Sequence, residues 1–254
     1  MELFPLVYLI AFAFTAGLID AAVGGGGLIQ TPALLNFYPN TPVATLFGTN
    51  KLASVFGTAS ATLNYIRRVK FDYRLIACVA MSAGIFSYFG AHSVSLIPQH
   101  ILRPIVLLLL ILIVIYTFKQ KQFGLAQQDF IWSKKTMLLA IVGASAIGFY
   151  DGIFGPGTGS FFIFFFIRYL QFDFLHASAL AKVANLMTNI AALSFFIPAG
   201  HIIFQLGLCM AVANICGSIV GVRMAFKYGT AFIRKLFLLL LLVLIGRLTW
   251  QTFS

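Results

Sequence analysis

Acid is the scarcest chemistry in this chain: six Asp and Glu among 254 residues, against seventeen Lys and Arg. Charged residues of both signs make up only 9% of the sequence, where a soluble domain carries roughly 25%. That leaves too little polar surface to cover a water-soluble globule. Cysteine is sparse and unpatterned. Cys78, Cys209 and Cys216 lie inside apolar runs with no C-x-x-C or C-x-x-H spacing, so they read as small core residues and exclude a disulfide framework or a zinc site. No basic region precedes the first apolar segment, which starts Met1-Glu2 and runs into Gly17 and Asp20, so no cleavable leader is expected. The net charge of +11 comes without a basic stripe interleaved with aromatics, which excludes nucleic acid as a partner.

What is abundant is hydrocarbon: 61% apolar residues, 28 Phe and a mean hydropathy of +0.98. Disorder is excluded, and a polytopic all-α membrane protein is implied. Apolar segments fall at about 3–19, 26–37, 42–66, 75–97, 101–118, 136–150, 158–170, 174–197, 202–222 and 232–250. The segments 26–37 and 158–170 are too short to span a bilayer, and each follows a glycine cluster. They are expected to be half-helices or re-entrant pieces. One longer polar stretch, 119–135, divides the chain nearly in half.

Sliding the sequence on itself by 131 residues pairs its least ordinary positions without a gap. Gly17, Asp20, Gly24 and Gly26 fall on Gly148, Asp151, Gly155 and Gly157. Lys51 falls on Lys182, Ser87 on Ser218, Gly90 on Gly221 and Arg103 on Arg234. The reading is a duplicated unit of about five segments, 1–118 and 136–254, joined by a linker at 119–135. Basic residues crowd opposite loops of the two units. Arg67, Arg68, Lys70 and Arg74 have no basic counterpart around 198–205, while Arg223, Lys227, Arg234 and Lys235 answer a neutral stretch at 93–100. Basic loops face the cytoplasm, so equivalent loops are expected on opposite sides of the membrane. That is an inverted repeat with a cytoplasmic linker and both termini outside; Arg247 near the C-terminus sits against it.

Four ionisable residues lie deep in apolar segments and are functional candidates for that reason: Asp20, Asp151, Lys51 and Lys182. The aspartates stand at glycine breaks, GLIDAAVGGGGLIQTP at 17–32 and GFYDGIFGPGTGS at 148–160. Backbone amides of Gly24, Gly25, Gly26 and Gly27, and of Gly155, Gly157, Thr158 and Gly159, would form anion sites at the starts of the half-helices. The glycines equally permit close helix packing. The lysines each head a polar stripe spaced by three and four residues: Lys51, Ser54 and Thr58, preceded by Asn50, and Lys182, Asn185 and Asn189. Such stripes fit a lined cavity, with the aspartates as coupling residues. As an alternative, Lys51 pairs with Asp20 and Lys182 with Asp151 as structural ion pairs. His176 and His201 fall at segment ends and read as interfacial; Arg103 and Arg234 read as anchors.

At these motifs the sequence resembles the TauE/SafE sulfite and sulfonate exporter family. The resemblance rests on DAAVGGGGLIQTPALL (20–35), GTNKLASVFGTASAT (48–62), D-x-x-x-G-P-G-T-G-S (151–160) and AKVANLMTN (181–189), and it extends over essentially the whole chain. It implies a permease of the bacterial inner membrane that moves a small sulfur anion such as sulfite or sulfoacetate. No cofactor, no metal and no enzymatic activity are expected, and a homo-oligomer is left open. Independently, paired cations, glycine-exposed amides and an inverted repeat point to a small anion bound near the midplane. The competing class is an intramembrane aspartyl protease using Asp20 and Asp151. Asp20 stands in Gly-Leu-Ile-Asp, not in the Gly-x-Gly-Asp such an enzyme needs, and the lysines would go unexplained.

Overall fold

The computed structural model describes residues 3–70, 72–94, 108, 111–113, 115–117, 119, 123–125 and 133–253. Most of the segment expected at 101–118, most of the linker 119–135, and Arg103 lie outside the described residues. Among the described residues the chain is helical, with no strand. The main helices are α1 (Leu3–Val23), α2 (Gly27–Phe37), α3 (Val43–Ile66), α4 (Tyr73–His92), α5 (Lys134–Ile153), α6 (Thr158–Leu170), α7 (Phe174–Phe196) and α8 (Phe204–Phe253). Asp72, Ser133 and Asp173 cap α4, α5 and α7 with their side chains.

Among the described residues five helices are long and apolar enough to cross a membrane: Leu6–Val23, Tyr73–His92, Lys134–Ile153, Phe174–Phe196 and Phe204–Val243. Their outward faces carry large exposed apolar side chains such as Met81, Phe89, Leu138, Val142, Val212 and Val243. In water these would be an aggregation surface; in a bilayer they are the solvated one. α2 and α6 have 11 and 13 residues, short of the ~20 a crossing needs. Both expected half-helices are therefore present.

One break is borne out and two expectations are corrected. The segments expected at 202–222 and 232–250 are two helical stretches of α8 parted at Gly229, whose φ of 71° and ψ of −171° are non-helical and suit a residue without Cβ. α1 and α5 continue past the expected ends at 19 and 150, so Asp20 and Asp151 sit inside the final turns of helices. The cysteines are not core residues: Cys78 and Cys209 are half-buried and Cys216 is exposed. A thiol is apolar enough to sit on a lipid-facing surface.

The helices of the two sequence halves lie largely against each other. α1 packs on α8 and α4 on α5, while α3 meets α8 and α4 meets α7. These contacts recur at the 131-residue offset. A Cβ on Gly17 would collide with the Asn214 carbonyl, and one on Gly148 with the Ala83 carbonyl. Likewise Gly90 lies on the Phe149 carbonyl and Gly221 on the Leu18 carbonyl. The missing side chains let helix backbones approach closely where no hydrophobic effect drives helix association. An aromatic core of Phe162, Phe166, Phe174 and Phe237 fixes α6, α7 and the far part of α8.

Candidate functional site

The two glycine breaks meet in the interior. Gly24 adopts φ of 67° and its equivalent Gly155 φ of 82°, backbone that L side chains rarely adopt. At Gly24 a Cβ would also strike the backbone of Gly159, so the α1–α2 and α5–α6 breaks touch through bare backbone. The freed carbonyls at the end of α1 all find donors from other helices. Tyr65 Oη donates to Ala21 O at 3.0 Å, Ser178 Oγ to Ala22 O at 3.2 Å, and Ser160 Oγ to Gly24 O. At the other break Tyr150 Oη donates to Pro156 O at 2.5 Å. Irregular backbone at membrane depth is tolerable only with such satisfaction.

The four embedded charges form two ion pairs, and the pairing runs across the halves. Lys51 of α3 donates to Asp151 of α5 at 2.5 Å. Lys182 of α7 donates to Asp20 of α1 at 2.7 Å, and also to the Asp20 backbone carbonyl at 2.5 Å. This corrects the expected pairing of each lysine with the aspartate of its own half. The chain folds each half's lysine helix against the other half's break, which adjacency in sequence does not reveal. The two pairs exchange under the 131-residue offset. So does a contact at the centre, where Asn189 of α7 lies 3.5 Å from its own equivalent, Thr58 of α3.

The aspartates differ in their remaining partners. Asp20 Oδ1 accepts the Gly25 and Gly26 amides at 3.2 and 3.4 Å. The carboxylate thus occupies amides expected to face an anion, and it caps the start of α2 with negative charge where the helix dipole favours it. For Asp151 the ion pair with Lys51 is the contact found, and its side chain is 2% exposed.

Between the breaks lies a cavity of about 30 Å³, room for a water molecule or two. It gathers Asp20, Gly25, Gly26, Gly27, Asn50, Lys51, Asp151, Gly155, Gly157, Thr158, Gly159 and Asn185 of the sequence candidates. Two candidates stand outside it. Gly24 forms the backing against Gly159, and Lys182, fully buried, sits behind Asp20. Ser54, Thr58 and Asn189 of the polar stripes also line it. His176 and Arg234 lie apart, the first against Asp173 at the start of α7 and the second donating to Thr117 O.

Sequence reasoning missed Asn214 of α8, which lines the cavity, and Gln30 of α2, whose Oε1 accepts from Asn214 Nδ2 at 2.9 Å. Gln30 Nε2 and Asn50 Oδ1 are buried without a hydrogen-bond partner among the described residues. Neither Gln30 nor Asn214 has a polar counterpart at the repeat offset, where Phe161 and Ala83 stand. A search by repetition passes over both. Their polarity inside apolar runs was the available signal.

A family profile described as Sulfite exporter TauE/SafE matches residues 9–248. The chain belongs to the TauE/SafE family. It is similar to a probable membrane transporter protein of a Sinorhizobium species, 35% identical over 96% of this chain and 92% of the relative. A probable membrane transporter protein of Haemophilus influenzae is 31% identical over 97% of this chain and 95% of its own length. The probable membrane transporter protein YfcA of Escherichia coli is 32% identical over 98% and 91%. No solved structure matches. This TauE/SafE protein is a membrane transporter, integral to the bacterial inner membrane, with apolar helices of spanning length.

Proposed function

We propose that this TauE/SafE protein is a secondary permease for a small anion, a sulfur oxyanion or organosulfonate such as sulfite or sulfoacetate, and is not an enzyme. The observation that carries the reading is the pair of crossed Lys–Asp bridges at two glycine breaks around one cavity. An ammonium is a compact point charge, suited to an oxyanion that must bind and then leave. The amide-rich lining of Asn50, Asn185, Asn189 and Asn214 adds neutral donors that can orient oxygens without holding them too tightly. The family's printed description, a sulfite exporter, favours sulfur anions within this class.

Charge balance says how such a site could work. Asp20, Asp151, Lys51 and Lys182 sum to zero, and each lysine is already neutralised by a carboxylate. An anion entering that arrangement meets no net attraction. Protonating Asp151 or Asp20 releases a lysine to face the anion, so substrate and proton are bound together. Each bridge also ties α3 or α7 to the break of the other half, so parting one bridge loosens one face of the cavity. We read the halves 1–118 and 136–254 as inverted repeats, with 119–135 a cytoplasmic linker. The offset-related contacts and the alternating basic loops support that reading. The separate lysine partners of the two carboxylates speak against the aspartyl-protease alternative, which needs a dyad sharing one proton.

The test is flux in proteoliposomes loaded with sulfite, sulfoacetate, sulfate, phosphate or acetate, with an imposed pH gradient. Faster movement of one or more sulfur anions than in protein-free vesicles, stimulated by the gradient, is expected. Flux confined to phosphate or acetate would reassign the cargo, and no flux of any anion would overturn the permease reading.

A further inference from the structure

A second cavity, far larger than the one between the breaks, opens on the flank of α5 and α6. It holds about 700 Å³ and is lined by Leu112, Tyr116 and Lys119, by Ala146 and Tyr150 of α5, and by a run of aromatic residues on α6. Its long wall on α6 extends from Phe161 to Tyr169, about 12 Å at 1.5 Å per residue, and presents Phe164 and Phe165 between them. The lining is otherwise apolar, which suits hydrocarbon and excludes a sulfur oxyanion.

One end of this cleft is cationic. Lys119 lines it, three residues beyond Tyr116. Arg168, exposed in the last turn of α6, holds its guanidinium 5.6 Å from the Tyr116 ring and 5.3 Å from the Tyr169 ring, both lining residues. The described ion pairs are three, and neither cation belongs to one. Two positive charges, neither in an ion pair among the described residues, therefore stand by an aromatic-walled slot.

We propose that this cleft binds one anionic glycerophospholipid, with an acyl chain along the α6 wall and its phosphate between Lys119 and Arg168. The occupant is fixed by complementarity: an apolar slot calls for a tail, and two cations at its mouth call for a negative head group. A zwitterionic lipid would fill the slot equally well and leave the cations without a net counter-charge. The inner end of the cleft adjoins the transport region. Tyr150 lines it, packs 5.3 Å from Phe161, and donates its hydroxyl to Pro156 O inside the α5–α6 break. Asp151 is the next residue. A lipid tail seated there braces the break from outside, so occupancy bears on flux as well as on retention.

The full-length protein is reconstituted in vesicles of equal phosphatidylglycerol and phosphatidylcholine, extracted gently, and weighed intact by native mass spectrometry. The wild type should retain one phosphatidylglycerol with about ten-fold preference over phosphatidylcholine. Lys119→Gln/Arg168→Gln should abolish the preference while leaving residual lipid, and Ala146→Trp, which obstructs the cleft beside the α6 wall, should reduce retention of both lipids. Equal retention of the two lipids by the wild type overturns the proposal, and so does phosphatidylglycerol bound unchanged to Ala146→Trp. If the double variant does not fold, these two measurements still decide.

Discussion

Replacing Lys182 by Met keeps the apolar stem and removes the charge. Lys182 is fully buried, and its Nζ donates to Asp20 Oδ2 at 2.7 Å and to Asp20 O at 2.5 Å. The substitution leaves the Asp20 carboxylate with two long amide contacts, at 3.2 and 3.4 Å, which do not compensate a full charge. Removing one partner of a buried ion pair costs about 3–5 kcal/mol. In a chain of this size each kcal/mol moves Tm by about 2–4 °C, so a fall of roughly 6–20 °C is expected. Adding Asp20→Asn removes the orphaned charge, and the double variant should return to within about 2 kcal/mol of the parent. Adding Asp151→Asn should not rescue, because it orphans Lys51 as well. The assay is thermal unfolding of detergent-purified protein, comparing the single variants and both doubles. Rescue by Asp151→Asn equal to that by Asp20→Asn, or an unchanged Tm in Lys182→Met, would refute the crossed pairing and the charge argument built on it.

Gly90→Val and Gly221→Val should each lower Tm, since both glycines lie directly on a facing carbonyl, Phe149 and Leu18 respectively; melting curves check it. Asn214→Ala leaves buried Gln30 without its partner and should cost about 1–3 kcal/mol, with Gln30→Leu/Asn214→Ala recovering part of it. Cysteines introduced at Lys70 and at Gly200 in a Cys-free background should be labelled from opposite sides of the membrane, the first from the cytoplasm. Labelling of both from one side would remove the inverted-repeat reading. Asp151→Asn should flatten the dependence of anion flux on a pH gradient more than it weakens anion binding, measured in vesicles and by equilibrium binding.

Much of this architecture was legible because hydrocarbon is monotonous and exceptions stand out. The half-helices followed from the length of the apolar runs after the glycines, and the site candidates from charges that a bilayer should exclude. The 131-residue repeat located equivalent residues but could not say which would meet. Asp20 and Lys182 are 162 positions apart, and only the packing of α1 and α7 joins them. The division of α8 was legible too: the two apolar runs at 202–222 and 232–250 are parted at Gly229, whose positive φ a helix interior does not allow. Gln30 and Asn214 escaped because they break the repeat. Their asymmetry makes the α2–α8 side of the cavity polar where the equivalent positions are Phe161 and Ala83.

The central claim is that Lys51, released from Asp151, is what the transported anion meets. Lys51→Met and Lys51→Met/Asp151→Asn, reconstituted beside the wild type at matched folded protein, test it through initial rates of sulfite and sulfoacetate flux. The account predicts that the double variant folds normally and that flux falls about ten-fold or more in both, because a charge-assisted hydrogen bond of ~1.5–3 kcal/mol is lost in each. Wild-type flux in the double variant would contradict the account and leave Lys51 a structural counter-ion.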